Sequence, residues 1–280
     1  MKIAYLGPEK TFTEKATREL FPEQEPLPLQ PIRNVVMAVE TGKADKGVVP
    51  LENFYNGHVI HTLDSLTRCE FTKIIQEKSL KVVHCLGALP GAGKISRIYS
   101  KDQALDQCDE YLYNHFPNAE TIATTSTAEA ADYIVRNKQL DSAAIASQAA
   151  LTKSGLEIMA IDLCQNNSTR FIVLGRSSTT PTGDDKTMLA IHPPVRDRPG
   201  VLADCLNILG SQHINLEGLY SRPDGNKVYI FYVELNGHQE DENVRIALKA
   251  LKYSLDPKNK HSDTINVLGS FANSHWKDED

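Results

Sequence analysis

The sequence lacks the features typical of membrane-spanning, secreted and nucleic-acid-binding proteins. No apolar run approaches the roughly 20 residues that a transmembrane helix needs. The N-terminal segment turns polar too early for a signal peptide. The net charge is −6, with 30 Lys and Arg against 36 Asp and Glu, and no basic run occurs. We therefore expect a cytoplasmic protein that binds neither nucleic acid nor a membrane.

The sequence also lacks the spacings of common metal and nucleophile sites. Its five cysteines are scattered, with no CxxC or Cys/His pattern, so we expect reduced thiols. The nine histidines form no HExxH motif, and no GxSxG elbow occurs, so we expect no metal site. The run at 87–96 resembles a phosphate-binding P-loop, but Ala88 and Ile95 occupy positions that require Gly and Ser or Thr. We interpret it as a loop.

The chain contains enough apolar material for one large domain or two ordinary ones. Its 280 residues are 41% hydrophobic and 24% charged, which is typical of a globular protein. Residues 177–185 are small and polar and include Pro181 and Gly183, so we interpret them as a linker. Before this linker, β-rich runs alternate with helical patterns, which predicts a mostly parallel α/β architecture. The predicted strands are 3–6, 47–50, 81–86, 95–99, 120–123, 142–146 and 171–174, and the predicted helices are 13–20, 32–41, 101–113, 127–137 and 147–151.

After the linker, the predicted order of elements changes to βαββαβ. The predicted strands are 188–192, 214–221, 227–235 and 265–271, and the predicted helices follow residue 200 as far as 212 and span 241–251. The two central strands form a hairpin around residues 223–226. This is the order of a ferredoxin-like fold, which hosts many functions and indicates little about activity by itself.

The most informative polar cluster is NSTRF at 167–171, directly before the apolar run 172–174. That run is predicted to be a buried strand, so the cluster lies where a hydroxyl and a guanidinium can be held side by side. Thr169 and Arg170 could hold an anionic substrate and donate a hydrogen bond to a group leaving with negative charge. A polar loop before a strand is the alternative interpretation.

Two further polar segments follow predicted strands. GPEKTFT at 7–13 opens a helix whose free N–H groups suit an anion, although Thr11 or Thr13 could serve only as its cap. VPLENFYNGHV at 49–59 places Glu52 and Asn53 where parallel strands end, the usual position of a ligand cleft. A turn with a solvated Glu is the alternative for this second segment.

Together these segments resemble the prephenate dehydratase family over nearly the whole chain. The family motifs occur in the family's order, and their order and spacing together are specific although each motif alone is modest. They are GPxGTFS, present as GPEKTFT at 7–13; VPxENSxxGxVxxTLDxL, present as VPLENFYNGHVIHTLDSL at 49–66; AAIAS at 143–147 with Gly155-Leu156 after it; and NxTRF at 167–171. The C-terminal part is similar to an ACT domain, with PGVL at 199–202, Asn215-Leu216 and SRP at 221–223.

The resemblance implies a two-lobed, periplasmic-binding-protein-like α/β catalytic domain over residues 1–180, with a second lobe over about 76–160. An α+β ferredoxin-like ACT domain would follow over residues 186–272. The implied reaction converts prephenate to phenylpyruvate in L-phenylalanine biosynthesis, with loss of carbon dioxide and the ring hydroxyl and without a metal or organic cofactor. Thr169 would be the catalytic hydroxyl. The implied substrate-binding residues are Thr11, Glu52, Asn53, Asn167 and Arg170, of which Arg170 could instead be a structural ion-pair partner.

The ACT resemblance implies feedback regulation by L-phenylalanine and assembly as a homodimer or homotetramer. Phenylalanine would bind at the interface between two ACT domains. The implied site consists of backbone contacts from Pro199, Gly200, Val201 and Leu202 and a pocket shaped by Asn215, Ser221 and Arg222. A helix start and a hairpin turn are the alternative interpretation of these segments.

Several residues depart from the family pattern. Lys10 stands where the family has Gly, so the loop gains a charge and loses backbone freedom. Phe54 and His58 replace small residues, and the phenyl ring would either fill part of the cleft or turn away from it. Tyr220 stands where an acidic residue commonly precedes SRP, which bears on amino-acid recognition.

Three rival functions remain open at this point. A prephenate decarboxylase of the same superfamily would lose carbon dioxide but keep the hydroxyl, and an intact Thr169 speaks against it. Arogenate, with an amino group in place of the keto group, could replace prephenate as the substrate. A non-catalytic ligand-sensing protein is the rival from a different functional class.

Overall fold

The structure is a computed structural model that describes residues 1–164, 167–193, 199–224, 228–257 and 264–274. Within these residues the strands are β1 Ile3–Leu6, β2 Leu27–Leu29, β3 Lys46–Asn53, β4 Gly57–His58, β5 Lys73–Lys81, β6 Cys85–Ala88, β7 Arg97–Ser100, β8 Glu120–Ala123, β9 Ser142–Ala146, β10 Glu157–Ile161, β11 Ser168–Gly175, β12 Asp185–Ile191, β13 Leu216–Pro223, β14 Tyr229–Asn236 and β15 Ile265–Ala272. The helices are α1 Phe12–Leu20, α2 Ile32–Glu40, α3 Ile60–Thr67, α4 Asp102–Gln107, α5 Asp109–His115, α6 Thr127–Arg136, α7 Gln148–Ser154, α8 Val201–Ser211 and α9 Glu242–Leu255.

Two sheets form the two lobes of the α/β part. The first lobe has the strand order β2-β1-β3-β11-β5, with β4 paired to β3, and the second has the order β10-β6-β9-β7-β8. Strand β11 returns from beyond the second lobe and inserts between β3 and β5, so the second lobe lies between two segments of the first in sequence. The predicted two-lobed, periplasmic-binding-protein-like architecture is confirmed.

The prediction of mostly parallel sheets is wrong, because both lobes are mixed. In the first lobe, β1 runs parallel to β2 and β3, whereas β11 runs antiparallel to both β3 and β5. In the second lobe, β7 runs parallel to β8 and β9, whereas β6 runs antiparallel to β9 and β10. These antiparallel pairs join segments distant in sequence, so the local alternation of elements does not reveal them.

The third sheet has the order β13-β14-β12-β15, and all of its pairings are antiparallel. Its helices α8 and α9 pack with the sheet around a core that includes Leu189, Val233, Leu209 and Val244. The predicted βαββαβ order is confirmed. The predicted hairpin turn at 223–226 lies partly outside the described residues, as does the predicted strand start at residue 227.

The opposite face of the third sheet packs on the first lobe. Met188 and Tyr232 from the third sheet share a core cluster with Ile74 and Ile172 from the first lobe. Strand β15 comes so close to β5 that a Cβ atom at Gly269 would overlap the backbone of Ile74. The third sheet therefore lies between its own helices and the first lobe.

Several local predictions need correction. The strand predicted at 81–86 is absent, because β5 ends at Lys81 and β6 begins at Cys85. The helix predicted at 101–113 is interrupted at Cys108, whose φ of −99° and ψ of 5° leave the helical region. The sequence analysis also missed β2, β4, β5, β10 and α3.

Candidate active site

The pairing of β11 with β3 brings Thr169 opposite Asn53. Asn53 Nδ2 donates hydrogen bonds to Thr169 Oγ1 at 2.9 Å and to the Ser168 carbonyl oxygen at 3.0 Å. Asn53 Oδ1 accepts from the backbone N–H groups of Tyr55 at 3.1 Å and Asn56 at 3.2 Å. Because a backbone N–H can only donate, these two bonds fix which end of the Asn53 amide faces Thr169.

The Thr169 hydroxyl accepts this bond and keeps its own hydrogen to donate. Among the described residues, the structure shows no acceptor for that hydrogen. A hydroxyl that accepts from an amide becomes a better donor, because hydrogen bonds in a chain polarise one another. The arrangement can therefore deliver a hydrogen bond, or a proton, to a leaving oxygen.

Three amide side chains form a closed ring behind Thr169. Asn53 Nδ2 donates to Asn167 Oδ1 at 3.0 Å, Asn167 Nδ2 donates to Gln107 Oε1 at 2.9 Å, and Gln107 Nε2 donates back to Asn53 Oδ1 at 3.0 Å. Asn167 is fully buried. Gln107 ends α4 in the second lobe, whereas the other two residues belong to the first-lobe side. The ring therefore ties the two lobes together beside the candidate catalytic hydroxyl.

His84 extends the ring with a neutral imidazole. Its Nε2 lies 3.0 Å from Gln107 Oε1, an oxygen that can only accept, so Nε2 carries the hydrogen. Burial lowers the pKa of His84 more than the hydrogen bond to Gln107 raises it. The imidazole is therefore neutral at pH 7. On its other side, the ring of Phe12 meets it edge to face at 6.0 Å.

A cleft of about 1170 Å³ lies between the lobes, where the starts of α1 and α7 face each other. Its walls include Thr11, Phe12, Lys81, Ser147 and Gln148, and five of its lining residues are basic against two that are acidic. This excess of positive charge suits an anionic ligand. Asn53 and Thr169 are not among the described lining residues, but Phe12 connects the cleft to His84 and thus to the amide ring.

Thr11 lies in this cleft and also caps α1. Its hydroxyl accepts from the Glu14 N–H at 3.3 Å and donates to the Pro8 carbonyl oxygen at 3.0 Å. The capping interpretation of this residue is therefore confirmed, and the structure shows no bond from Thr11 to Thr169 among the described residues. Substrate binding by Thr11 stays a prediction.

Lys10 reaches across the cleft from the first lobe to the second. Its φ is +66°, in the left-handed region that Gly enters more easily. Its Nζ lies 3.9 Å from Asp132 Oδ2 on α6. Lys10 therefore shows both effects expected when Lys replaces Gly at this position: an added positive charge and a backbone conformation that is unfavourable for a residue with a side chain.

Phe54 turns away from the protein. Its side chain is 65% exposed and packs edge to face on Tyr55, with ring centroids 5.4 Å apart. Its backbone N–H donates to the Ser168 carbonyl oxygen at 2.9 Å, so only the backbone of this residue supports the site. The larger side chain at position 54 therefore leaves the environment of Thr169 unobstructed.

Arg170 and Glu52 lie on the opposite face of the sheet from Thr169 and Asn53. Successive residues of a strand point to opposite faces, and the two pairs are consecutive in the ladder. The Arg170 guanidinium contacts Glu52 Oε2 at 3.0 Å, Glu77 Oε2 at 3.2 Å and Glu234 Oε1 at 2.5 Å. This geometry argues against the predicted role of Arg170 and Glu52 as substrate ligands and favours the ion-pair alternative for Arg170.

The charged forms of Arg170 and Glu234 are favoured. Burial alone would lower the pKa of Arg170, but the hydrogen bond to Glu234 and three carboxylate charges raise it above its ordinary value. Burial alone would raise the pKa of Glu234, but Arg170 and Lys186 lower it below its ordinary value. Arg170 and Glu234 therefore both stay ionised at neutral pH.

The predicted phenylalanine-binding residues divide between the two ends of the third sheet. Ser221 pairs with Phe231, which also pairs with Ile191, the residue where β12 leaves the sheet. Pro199 and Gly200 directly precede α8, and Gly200 adopts a φ of +86° as its N-cap. Val201 is buried in the core, whereas Leu202 is half-buried and packs at its edge.

Asn215 lies at the other end of β13. It precedes Ser221 by six positions, a distance of about 20 Å along a strand. Arg222 forms an ion pair with Asp64 of α3, and both line a cavity of about 830 Å³ between the first lobe and the third sheet. Within a single chain, Asn215 therefore lies far from the other residues predicted to bind phenylalanine.

The sequence analysis missed Gln107 and His84 as members of the site. Gln107 lies four residues after Gln103, one helical turn along α4, and both amides donate to Asn56 Oδ1, at 2.6 and 3.0 Å. That spacing was the available signal. His84 follows a strand end with no motif around it, so nothing local indicated its role.

Within the part of the chain that the structure describes, no three His, Cys, Asp or Glu side chains group as a metal site. None of the described helices has the length and apolar character needed to cross a bilayer.

Comparison with known proteins identifies the family. The family model of prephenate dehydratase matches residues 3–179, and that of the ACT domain matches residues 195–252. The bifunctional chorismate mutase/prephenate dehydratase of Aquifex aeolicus (strain VF5) is 36% identical over 277 residues, which cover 97% of this chain and 73% of that protein.

Two solved structures match over nearly the full length. The prephenate dehydratase from Arthrobacter aurescens, in complex with L-Phe, superposes with a TM-score of 0.85 at 31% identity and covers 98% of this chain and 90% of that one. GqqA, described as a novel type of quorum quenching acylase, superposes with a TM-score of 0.80 at 25% identity and covers 98% and 99%. By its sequence and by the two matching models, the chain belongs to the prephenate dehydratase family and carries an ACT domain.

Proposed function

We propose that the protein is a prephenate dehydratase, a lyase that converts prephenate to phenylpyruvate. The observation that carries the proposal is the hydrogen bond from Asn53 Nδ2 to Thr169 Oγ1, which leaves the hydroxyl hydrogen of Thr169 available to the leaving group. Family membership and the structure solved with L-Phe support the same reaction.

The electrons of the departing carboxylate supply the chemistry. As the C–CO₂ bond breaks, its electron pair enters the ring, the ring becomes aromatic, and the C–O bond to the ring hydroxyl breaks. The products are phenylpyruvate, carbon dioxide and water, so no oxidant or reductant is needed. Thr169 donates a hydrogen bond to the departing oxygen, which takes up a proton from solvent and leaves as water, and Asn53 strengthens this hydrogen bond by donating to Thr169 Oγ1.

The cleft supplies the charge that a dianionic substrate needs. Lys10 and Lys153 line it, and the contact of Lys10 with Asp132 is long and partly exposed, so the ammonium group can exchange this partner for a substrate carboxylate. The start of α1 offers backbone N–H donors on the same wall, beside Thr11, whose hydroxyl hydrogen is engaged by the Pro8 carbonyl oxygen. We assign substrate binding to this wall, with Asn167 orienting Asn53 rather than contacting the substrate.

Incubation with prephenate, followed by phenylpyruvate absorbance at alkaline pH, tests the proposal. Thr169→Val keeps the shape of the side chain but removes the donor, so we expect kcat to fall by about 10²- to 10⁴-fold with an unchanged unfolding midpoint. Ser168→Ala, the matched control one residue away, should keep wild-type kcat. Normal turnover by the Thr169→Val variant would overturn the role of Thr169.

Parallel incubations with prephenate, with arogenate and with an N-acyl substrate separate the rival functions. A non-aromatic keto acid as product indicates the decarboxylase, and phenylalanine formed from arogenate, with no turnover of prephenate, indicates the arogenate enzyme. Cleavage of an N-acyl substrate without any aromatic product would indicate the activity described for GqqA. Binding without any product would leave the ligand-sensing protein.

We also propose regulation by L-phenylalanine, a homodimer or homotetramer, and a location in the cytoplasm. The ACT domain and the related structure in complex with L-Phe support the effector. With a strand rise of about 3.3 Å per residue, Asn215 and Ser221 lie about 20 Å apart. This separation supports a site that is completed by a second ACT domain. Calorimetry with L-phenylalanine and sedimentation of the full chain test these proposals, and a monomer that binds no phenylalanine would contradict them.

A further inference from the structure

The ACT domain contacts strand β11 on the face of Arg170, opposite the face of Thr169. Arg170 Nη1 lies 2.5 Å from Glu234 Oε1, and Arg170 Nη2 lies 2.7 Å from Glu234 Oε2. This is a bidentate ion pair between a planar guanidinium and a planar carboxylate, which fixes the relative orientation of the two groups as well as their distance. Glu234 lies on β14 in the third sheet, and Arg170 directly follows Thr169 on β11.

The contact is buried and belongs to a larger cluster. The Glu77 and Glu234 side chains are 1% and 4% exposed, and that of Arg170 is 15% exposed. Lys186 Nζ from β12 adds contacts of 3.4 Å to Glu77 and 3.7 Å to Glu234. Solvent hardly screens charges buried to this degree, so loss of Arg170 would leave three carboxylates with Lys186 as the single cation of the cluster among the described residues.

The cluster and the amide ring share two strands. Glu52 and Asn53 are consecutive on β3, and Arg170 and Thr169 are consecutive on β11. A displacement of β14 therefore moves Arg170, and Thr169 moves with it, because one peptide unit joins them. A shift of 1 Å at a reacting group is enough to change kcat by about 10²-fold.

We propose that Arg170 is a positioning residue, through which Glu234 of the ACT domain sets the place of Thr169 relative to Asn53. The proposal rests on the proposed dehydratase function for its kinetic readout only. The bidentate contact between Arg170 and Glu234 is then the mechanical connection between the third sheet and strand β11.

The second ion pair between the domains provides a matched control. Arg222 of β13 contacts Asp64 of α3, and neither residue touches β3 or β11 through the cluster. Glu234→Gln and Asp64→Asn each remove one carboxylate charge from the same domain interface while keeping the shape of the side chain. They differ in whether the broken contact reaches the strand of Thr169.

Hydrogen–deuterium exchange and steady-state kinetics on the full chain test the proposal. In Glu234→Gln we expect faster exchange in the peptide 167–175, and a kcat lowered by about tenfold or more with KM within twofold of the wild type. Asp64→Asn should leave both the exchange of that peptide and kcat unchanged. If Glu234→Gln fails to fold, Glu234→Asp, which shortens the side chain and withdraws the carboxylate from Arg170 without removing the charge, replaces it with the same expected direction.

Wild-type exchange at 167–175 in a folded Glu234→Gln variant would overturn the proposal. So would a loss of unfolding stability in both variants without any change in kcat. Because exchange needs no substrate, it decides the inference even if the wild type fails to turn over prephenate, an outcome that contradicts only the proposed function.

Discussion

The two faces of strand β11 are built from different chemistry. On the face of Thr169, three neutral amides donate to one another in a ring, and a neutral imidazole donates to one of them. On the face of Arg170, five charged side chains meet at the ACT domain. Neutral amides orient a hydroxyl without placing a charge beside a departing hydroxide. Buried ions fix the position of two domains relative to each other, but the protein loses much stability when one partner is removed.

The largest expected effect is on the ionic face. Arg170→Met removes the cation from three carboxylates, so we expect the free energy of unfolding to fall by about 3–5 kcal/mol, as measured by urea denaturation. Arg136→Met, which removes an exposed cation paired with Glu129, should cost less than about 1 kcal/mol. If Arg170→Met instead raises KM without changing stability, Arg170 binds substrate after all.

The next effect concerns the amide face. Asn53→Asp keeps the shape but replaces the donor to Thr169 with an acceptor and adds a negative charge. We expect kcat to fall by about 10²- to 10³-fold, the range found for loss of one such donor. Asn34→Asp, the same chemical change on exposed α2, should leave kcat as in the wild type. Equal kinetics of the two variants would remove Asn53 from the mechanism.

A pH series distinguishes the faces further, because His84 has a lowered pKa. Below its unfolded-state pKa of about 6.5, the unfolded chain takes up a proton that the folded protein still refuses, so stability falls as pH falls. We expect the stability of the wild type relative to His84→Gln to decrease below pH 6.5, by no more than about 1.4 kcal/mol per pH unit. A difference that stays constant from pH 7.5 to pH 5 would mean that His84 titrates normally.

The smallest effect is expected in the cleft. Lys10→Gly relieves the positive φ and removes a cation, so stability should change by no more than about 1 kcal/mol while KM for prephenate rises severalfold. Lys138→Gly provides the control, because Lys138 also has a positive φ, of +50°, but does not line the cleft. If both variants show the wild-type KM, Lys10 contributes nothing to substrate binding.

The sequence predicted the family, the two-lobed architecture and the ACT order, because ordered motifs and periodic segments are local signals. It placed Thr169 and Arg170 in one site because β11 was expected to begin at Phe171. Once the strand begins at Ser168, alternation sends these two neighbours to opposite faces. A strand predicted to begin at Ser168 would have placed Thr169 and Arg170 on opposite faces from the sequence alone.

Other features depend on contacts between distant segments. The insertion of β11 between β3 and β5 joins residues about 90 to 130 positions apart, and no local pattern encodes it. Gln107 enters the site only because α4 of the second lobe meets the end of β3. Glu234 lies in a predicted strand, whereas Glu77 lies in β5, which was not predicted, and the burial of both becomes evident only when the third sheet covers them.

The glycine at position 269 limits how ACT domains can be exchanged between relatives. Since no side chain fits between β15 and β5 at that point, a grafted domain with any other residue there would have to sit farther from the first lobe. Chimeric enzymes that combine this catalytic part with a foreign sensor should therefore be screened first for glycine at the corresponding position. A Gly269→Ala variant of the natural chain provides the reference for the cost of ignoring that requirement.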